Sequence, residues 1–207
     1  MKFLTKRILP LIATMIGLFA FTMIANAANG SWQLIGNPEF TSTSQWFSPI
    51  AISPTGTPYI AYEDGNNEDN IIVMKYDGAD WINVGVSDFY ATPGNNLSLV
   101  IDNNGVPYVS FANANNGNKA IVKKFDGVDW VTVGADGFST GTVTFTSLAF
   151  SPAGALHIAY IDANNNSYPT VMQFDGNAWV AVGDAFDQAP GAGLSLAFSP
   201  NGTPYIA

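Results

Sequence analysis

The sequence predicts an all-β chain of four-stranded antiparallel sheets, a β-propeller, on three observations. Trp32, Trp81, Trp130 and Trp179 follow one another at a constant spacing of 49 residues. The stretch Tyr76-Asp77-Gly78-Ala79-Asp80-Trp81-Ile82-Asn83-Val84-Gly85 recurs over residues 125–134 and again over 174–183. Between the copies lie short runs of β-branched and aromatic residues bounded by Pro, Gly and Asn, which are strand and turn signals. A repeat of 20 to 50 residues marks a solenoid, propeller or similar array, and four short strands per repeat select the propeller blade. A β-sandwich would not repeat in register, and a β-helix uses shorter coils.

Residues 1–27 read as a secretory signal peptide. Lys2, Lys6 and Arg7 precede an uncharged run over 8–24, closed by Ala25-Asn26-Ala27, so cleavage is expected after Ala27. The alternative is an uncleaved anchor, against which Pro10 and the Ala-x-Ala site both argue. Next comes 31–36, a copy of the Trp-x-x-Val-Gly strand without the Asp-Gly turn that precedes it later, hence a strand d with no strand c of its own. Strands a and b of the first full unit are Ile50-Ala51-Ile52 and Pro58-Tyr59-Ile60-Ala61-Tyr62, joined through Gly56. Strand c ends at Tyr76, and Asp77-Gly78 leads into the Trp81 strand. Asp-Gly between strands favours a type I′ turn, with positive φ at both central residues.

The blades fall at about 48–85, 97–134 and 146–183, with a partial blade at 195–207. In the second, strands a to d are 98–102, 107–111, 120–125 and 130–134; in the third they are 148–151, 156–160, 170–174 and 179–183. Alignment of Ala207 with Ala159 places the last residue in the middle of a strand b, so the expectation is an incomplete ring and a fragment of a longer reading frame. Trp32, Trp81, Trp130 and Trp179 recur once per unit and read as structural, blade against blade.

These units resemble propeller repeats of secreted bacterial proteins, and the Tyr/Phe-Asp-Gly-x-x-Trp turn is similar to the Asp-box of sialidase-like propellers. Asp and Gly are adjacent here, as in Asp126-Gly127, whereas the Asp-box separates them by one residue. The resemblance implies that Asp77, Asp126 and Asp175 cap the c-to-d hairpins and carry no catalysis. It also implies a set of arginines for a sialidase substrate, and no arginine follows residue 27.

Composition narrows function. The 207-residue chain has a formal net charge of −9, which becomes −12 once the leader and its three basic residues are removed. Only Lys75, Lys119, Lys123 and Lys124 are left to meet a polyanion, so neither nucleic acid nor, after signal cleavage, a membrane surface is an expected partner. There is no cysteine, which excludes disulfides and thiol chemistry. A secreted, periplasmic or cell-surface location follows from the leader.

The d-to-a connections differ between units while the strands repeat, as on a rigid frame that presents variable binding loops. They would place Trp46, Phe47, Tyr90, Asp88, Asp136 and Asp187 on one face, where aromatics beside acids suit carbohydrate or protein; the alternative is that Trp46 and Tyr90 fold inward. The b-to-c loops carry oxygen donors at alternate positions, Asp64 and Asn66 in one and Asp162 and Asn164 in another, a calcium loop in outline. They lack the sixth-position Gly and the distal acid, so no cofactor is expected and Ca²⁺ is the single candidate. His157 stands where other units have Tyr59, Tyr108 and Tyr205, and reads as a tyrosine substitute. No spacing singles out a carboxylate pair for glycoside hydrolysis. The sequence therefore points to a non-enzymatic binding or scaffolding module, with a carbohydrate-active enzyme as the alternative.

Overall fold

In the computed structural model, the described residues are 25–28, 31–37, 41, 48–65, 70–86, 89, 97–184, 186 and 193–207. They form β-strands and two single 3₁₀ turns, with no α-helix among them. The first sheet is β3 (Ile50–Ile52), β4 (Pro58–Asp64), β5 (Asn70–Tyr76) and β6 (Trp81–Asn83). The second is β7 (Ser98–Ile101), β8 (Pro107–Asn113), β9 (Lys119–Phe125) and β10 (Trp130–Thr132). The third is β11 (Val143–Phe150), β12 (Leu156–Asp162), β13 (Tyr168–Phe174) and β14 (Trp179–Ala181). Each is an antiparallel meander in chain order, and β15 (Leu196–Phe198) with β16 (Pro204–Ile206) forms a two-stranded sheet.

The Trp32 strand, which has no strand c of the repeat before it, is paired with residues at the end of the leader. β2 (Ser31–Leu34) runs antiparallel to β1 (Ala25–Ala28), with Ala27 opposite Trp32. This hairpin straddles the expected cleavage point. β11 differs, starting at Val143 where the sequence suggested 148, because a bulge between Thr144 and Ser147 lets Val143 and Thr144 pair with Asp162 and Ile161. At the bulge Phe145 adopts φ +53, a left-handed conformation that few non-glycine residues take.

The second strand of each four-stranded sheet, β4, β8 and β12, is buried on both faces, since alternate side chains of one strand pack against different neighbouring sheets. In β4, Tyr59 and Ala61 join Leu99, Val109, Phe111 and Trp130 of the second sheet, whereas Ile60 and Tyr62 join Met74, Trp81 and Ile35 on the opposite face. In β12, Ile158 and Tyr160 face Ala120, Val122 and Val133, while Ala159 faces Leu196. Burial on both sides is why these strands read as continuous apolar runs instead of alternating ones. Each large apolar side chain of this core contributes roughly 1.5–3 kcal/mol of transfer free energy, so the sheets are held mainly by their neighbours.

The hairpins within sheets are closed by side-chain caps. In the a-to-b turns, Ser53, Asp102, Ser151 and Ser199 each accept a main-chain N–H from the residue four positions on, at 2.9–3.2 Å. The c-to-d connections depart from the type I′ expectation. Tyr76 pairs with Trp81, leaving the four-residue loop 77–80, and Gly78 has φ +105 while neither Asp77 nor Ala79 has positive φ. The physical reason is the aspartate: Asp77 Oδ1 accepts from the N–H groups of Ala79 and Asp80, both at 2.9 Å, and so winds the backbone into a longer turn. Asp126 and Asp175 do the same in their loops, with Gly127 and Gly176 in the positive-φ position.

Those bonds have a titration consequence. The N–H of Asp80, followed by that of Ala79, holds the Asp77 carboxyl below the usual carboxylate range; the N–H groups of Asp129 and Val128 do so for Asp126, and those of Ala178 and Asn177 for Asp175. A carboxyl depressed in the folded state stabilises it fully above the unfolded value of about 3.9, and the contribution is lost as pH falls through the depressed value. The thermal midpoint should therefore fall between pH 5 and pH 2.5. A triple Asp77→Asn, Asp126→Asn, Asp175→Asn variant should fall less, and an unchanged pH profile in that variant would remove these turns from the acid response.

Candidate functional site

The indoles lock each sheet to the one before it. Trp81 Nε1 donates to the carbonyl of Ile35 at 3.3 Å, Trp130 Nε1 to Val84 at 2.8 Å and Trp179 Nε1 to Val133 at 2.8 Å. The glycine after each acceptor has positive φ and forms the floor of the socket. A Cβ on Gly36 would lie 2.9 Å from Trp81 Cδ1, and one on Gly134 would lie 2.9 Å from Trp179 Cδ1. A phenylalanine of the following d-to-a connection covers the indole from another side, Phe89 on Trp130 and Phe138 on Trp179. Trp81, Trp130 and Trp179 are buried; Trp32 is 77% exposed. The inner strands are stitched too, by Leu148 N–H to Ser98 Oγ and Leu196 N–H to Ser147 Oγ.

At one end of the sheets the b-to-c loops meet the d-to-a connection over 135–142. Asp162 is 2% exposed, and its carboxylate accepts from Thr140 Oγ1 at 2.8 Å, Thr140 N at 3.2 Å, Gly141 N at 3.0 Å and Asn164 N at 2.9 Å. Asn164 Nδ2 donates to the Thr140 carbonyl. The two residues read as candidate calcium ligands thus clamp a loop in this structure. A Cβ on Gly141 would sit 2.7 Å from Asn164 Cγ and Asp162 Oδ1, which is why this position takes glycine. Asp136 is exposed, and its Oδ1 accepts from Asn113 Nδ2 at 2.9 Å. Asp64 ends β4 opposite Asn70. Trp46, Phe47, Tyr90, Asp88, Asp187 and Asn66 lie outside the described residues. Among the described residues, no three His, Cys, Asp or Glu side chains gather to hold a metal ion.

The opposite end, where the a-to-b and c-to-d turns lie, carries two clefts that the sequence reading did not single out. The first, of about 420 Å³, opens between the second and third sheets and is lined by Tyr108, Lys124, Phe150, Gln173 and Asp175, among others. Tyr108 and Phe150 meet edge to face at 5.3 Å in its wall. Burial, and then the charge of Asp102, raises the Tyr108 phenol above its ordinary range, so it is a neutral hydroxyl at physiological pH. The second cleft, of about 380 Å³, lies one sheet further on and uses the corresponding positions: His157 for Tyr108, Gln173 for Lys124, Phe198 for Phe150. His157 packs on Phe198 at 4.7 Å and its Nδ1 lies 3.0 Å from the Ala155 carbonyl. Both volumes fall in the range of small-molecule pockets. An aromatic wall beside a hydroxyl, an ammonium and a carboxylate can stack on an apolar ring face while bonding its polar rim. The sequence does carry the signal, as an exchange of polar types at repeated positions, but only the packing of adjacent sheets shows that those positions converge.

No protein-family model matches the chain, and no curated protein matches it. Solved structures do. The fungal lectin of Aleuria aurantia, a six-bladed β-propeller with a novel fucose recognition mode, overlays with a TM-score of 0.59 at 17% identity, over 84% of this chain and 58% of the lectin. The mercury-derivative form of that fucose-specific lectin gives 0.57 at 18% identity over the same shares. An α-L-arabinofuranosidase of Fusarium graminearum, in complex with an iminosugar inhibitor, gives 0.56 at 14% identity, over 81% of this chain and 56% of the enzyme. The chain thus spans less than two thirds of the length of these proteins. At such identities the likeness is one of fold: with its four-stranded antiparallel sheets, the chain has the β-propeller fold.

Proposed function

We propose that this chain is a secreted, non-enzymatic binding module whose ligand is carbohydrate, taken up in the clefts between adjacent sheets. The observation that carries the reading is the recurrence of a cleft of similar volume, with an aromatic wall and polar rim, at corresponding residues of successive sheets. Repetition suits a ligand displayed in many copies, since two weak sites on one frame bind a dense surface far more tightly than either alone. The fold neighbours fit this reading, one being a fucose lectin and another an arabinofuranosidase. Removal of residues 1–27 on export, and a role at the cell surface, belong to the same proposal.

Titration with methyl glycosides of L-fucose and L-arabinose, together with a glycan array, tests it. Binding should be lost or weakened at least about tenfold in the first cleft by Lys124→Ala or Phe150→Ala, roughly the cost of one good hydrogen bond or aromatic contact. Absence of binding to every glycan by the folded protein would overturn the proposal. Release of free sugar would favour the enzyme reading, which the arabinofuranosidase neighbour keeps in view.

A further inference from the structure

Strand c and the turn after it carry a charge pattern that the first cleft breaks. Lys75 and Lys124 stand two residues before the turn-capping Asp77 and Asp126, and Gln173 holds that position before Asp175. After the N–H groups of their own loops, the charges of Lys75 and Lys124 also hold Asp77 and Asp126 down, whereas for Asp175 the N–H groups act without a lysine. Asp175 is the turn aspartate that lines the first cleft, together with Tyr108, Lys124, Phe150 and Gln173. Its Oδ1 takes the N–H groups of Asn177 and Ala178, so that Oδ2 meets no donor among the described residues. Lys124 stands on the other wall, where Asp126 offsets its charge, and among the described residues it forms no ion pair with Asp175. The negative charge of Asp175 is thus left uncompensated in a cleft walled by aromatic rings.

We infer that the first cleft takes an amino sugar, with its ammonium against the Asp175 carboxylate and its hydroxyls toward Lys124, Tyr108 and Gln173. The inference rests on the reading of this cleft as a carbohydrate site and adds the charge of the ligand. An ammonium brings N–H donors to the open Oδ2, and the Tyr108 and Phe150 rings attract a cation to their faces, where a neutral hydroxyl gains less. The N–H groups of Ala178 and Asn177 keep Asp175 ionised in mildly acidic solution, in which an amino sugar is protonated. The chain as a whole acts in the same direction, since a formal charge of −9 draws cations and repels uronic acids. Lys124 does not oppose this, because it presents its N–H groups to hydroxyls from the other wall.

The test is calorimetric titration of the full chain, in mildly acidic buffer of low ionic strength. Methyl glycosides of glucosamine and galactosamine are compared with their N-acetyl, neutral and uronic acid counterparts and with the fucoside. The amino sugars should bind about five- to tenfold more tightly than the neutral ones, the combined size of an exposed charge pair and a cation–π contact. Most of that margin should disappear as salt is raised. Gln173→Lys restores the residue type that the first two sheets carry, and Asp175→Asn keeps the oxygen that caps the turn; each should remove the margin. The margin is a ratio read within one variant, so a general loss of affinity does not disturb it. Because Lys75 and Lys124 occupy the corresponding place, Gln173→Lys remains informative even if Asp175→Asn folds poorly. Equal or tighter binding of the neutral or uronic sugars would overturn this inference and leave the carbohydrate reading standing, as would a margin that survives both substitutions. A folded chain that binds no glycan at all would overturn both.

Discussion

Trp130→Ala is expected to lower the free energy of unfolding by about 3–5 kcal/mol, the usual range for truncating a buried tryptophan in a core. Trp130 is 7% exposed, packs on Phe89 and Phe125, and donates to Val84. Its removal opens a cavity between two sheets and leaves the Val84 carbonyl without that donor. For a chain of this size the thermal midpoint should drop by roughly 6–20 °C. Trp32→Ala, at an exposed position, should change stability by less than about 0.5 kcal/mol, as surface substitutions do. Trp130→Phe separates the two contributions, since it keeps most of the apolar contact and loses the N–H. Equal effects of Trp130→Ala and Trp32→Ala in calorimetry would refute the assignment of the indole as an intersheet lock.

Asp162→Ala should cost about 2–3 kcal/mol, because it removes the charged acceptor shared by Thr140, Gly141 and Asn164 and leaves the buried Gly141 N–H without it. Asp162→Asn retains one oxygen and should cost less. Asp136→Ala, at an exposed carboxylate with one side-chain partner, should stay within about 1 kcal/mol. Urea unfolding gives the ranking. Hydrogen exchange at the amides of Thr140 and Gly141 locates the effect, which should appear as local opening of the 135–142 connection. Unchanged exchange there in Asp162→Ala would show that the loop is held by its backbone bonds, such as Phe138 N–H to Ala120 and Val143 N–H to Asn118.

The sequence alone determined the sheet architecture, because the information is local and repeated. A strand needs a short apolar run, a hairpin needs a residue able to cap it, and the 49-residue spacing of Trp81, Trp130 and Trp179 places both once per sheet. It also carried the expectation of one packing indole per sheet, since one large side chain per repeat has to meet the same neighbour each time. Where local chemistry offered two solutions, reading it failed. Asp77-Gly78 is compatible with a two-residue turn, and the choice of a four-residue loop came from which N–H groups the carboxylate could reach.

Only the tertiary structure decided the rest, for a reason of distance. Asp162 looks like an oxygen donor in a loop until Thr140 and Gly141, from a separate connection, are seen to occupy it. Tyr108, Lys124, Phe150 and Asp175 are scattered over nearly seventy residues and become one cleft only when the second and third sheets pack face to face. The contrast between Trp32 and its three buried counterparts is of the same kind. All four open the same Trp-x-x-Ile/Val-Gly strand, and the three buried ones rest on a carbonyl and a bare glycine of the preceding sheet.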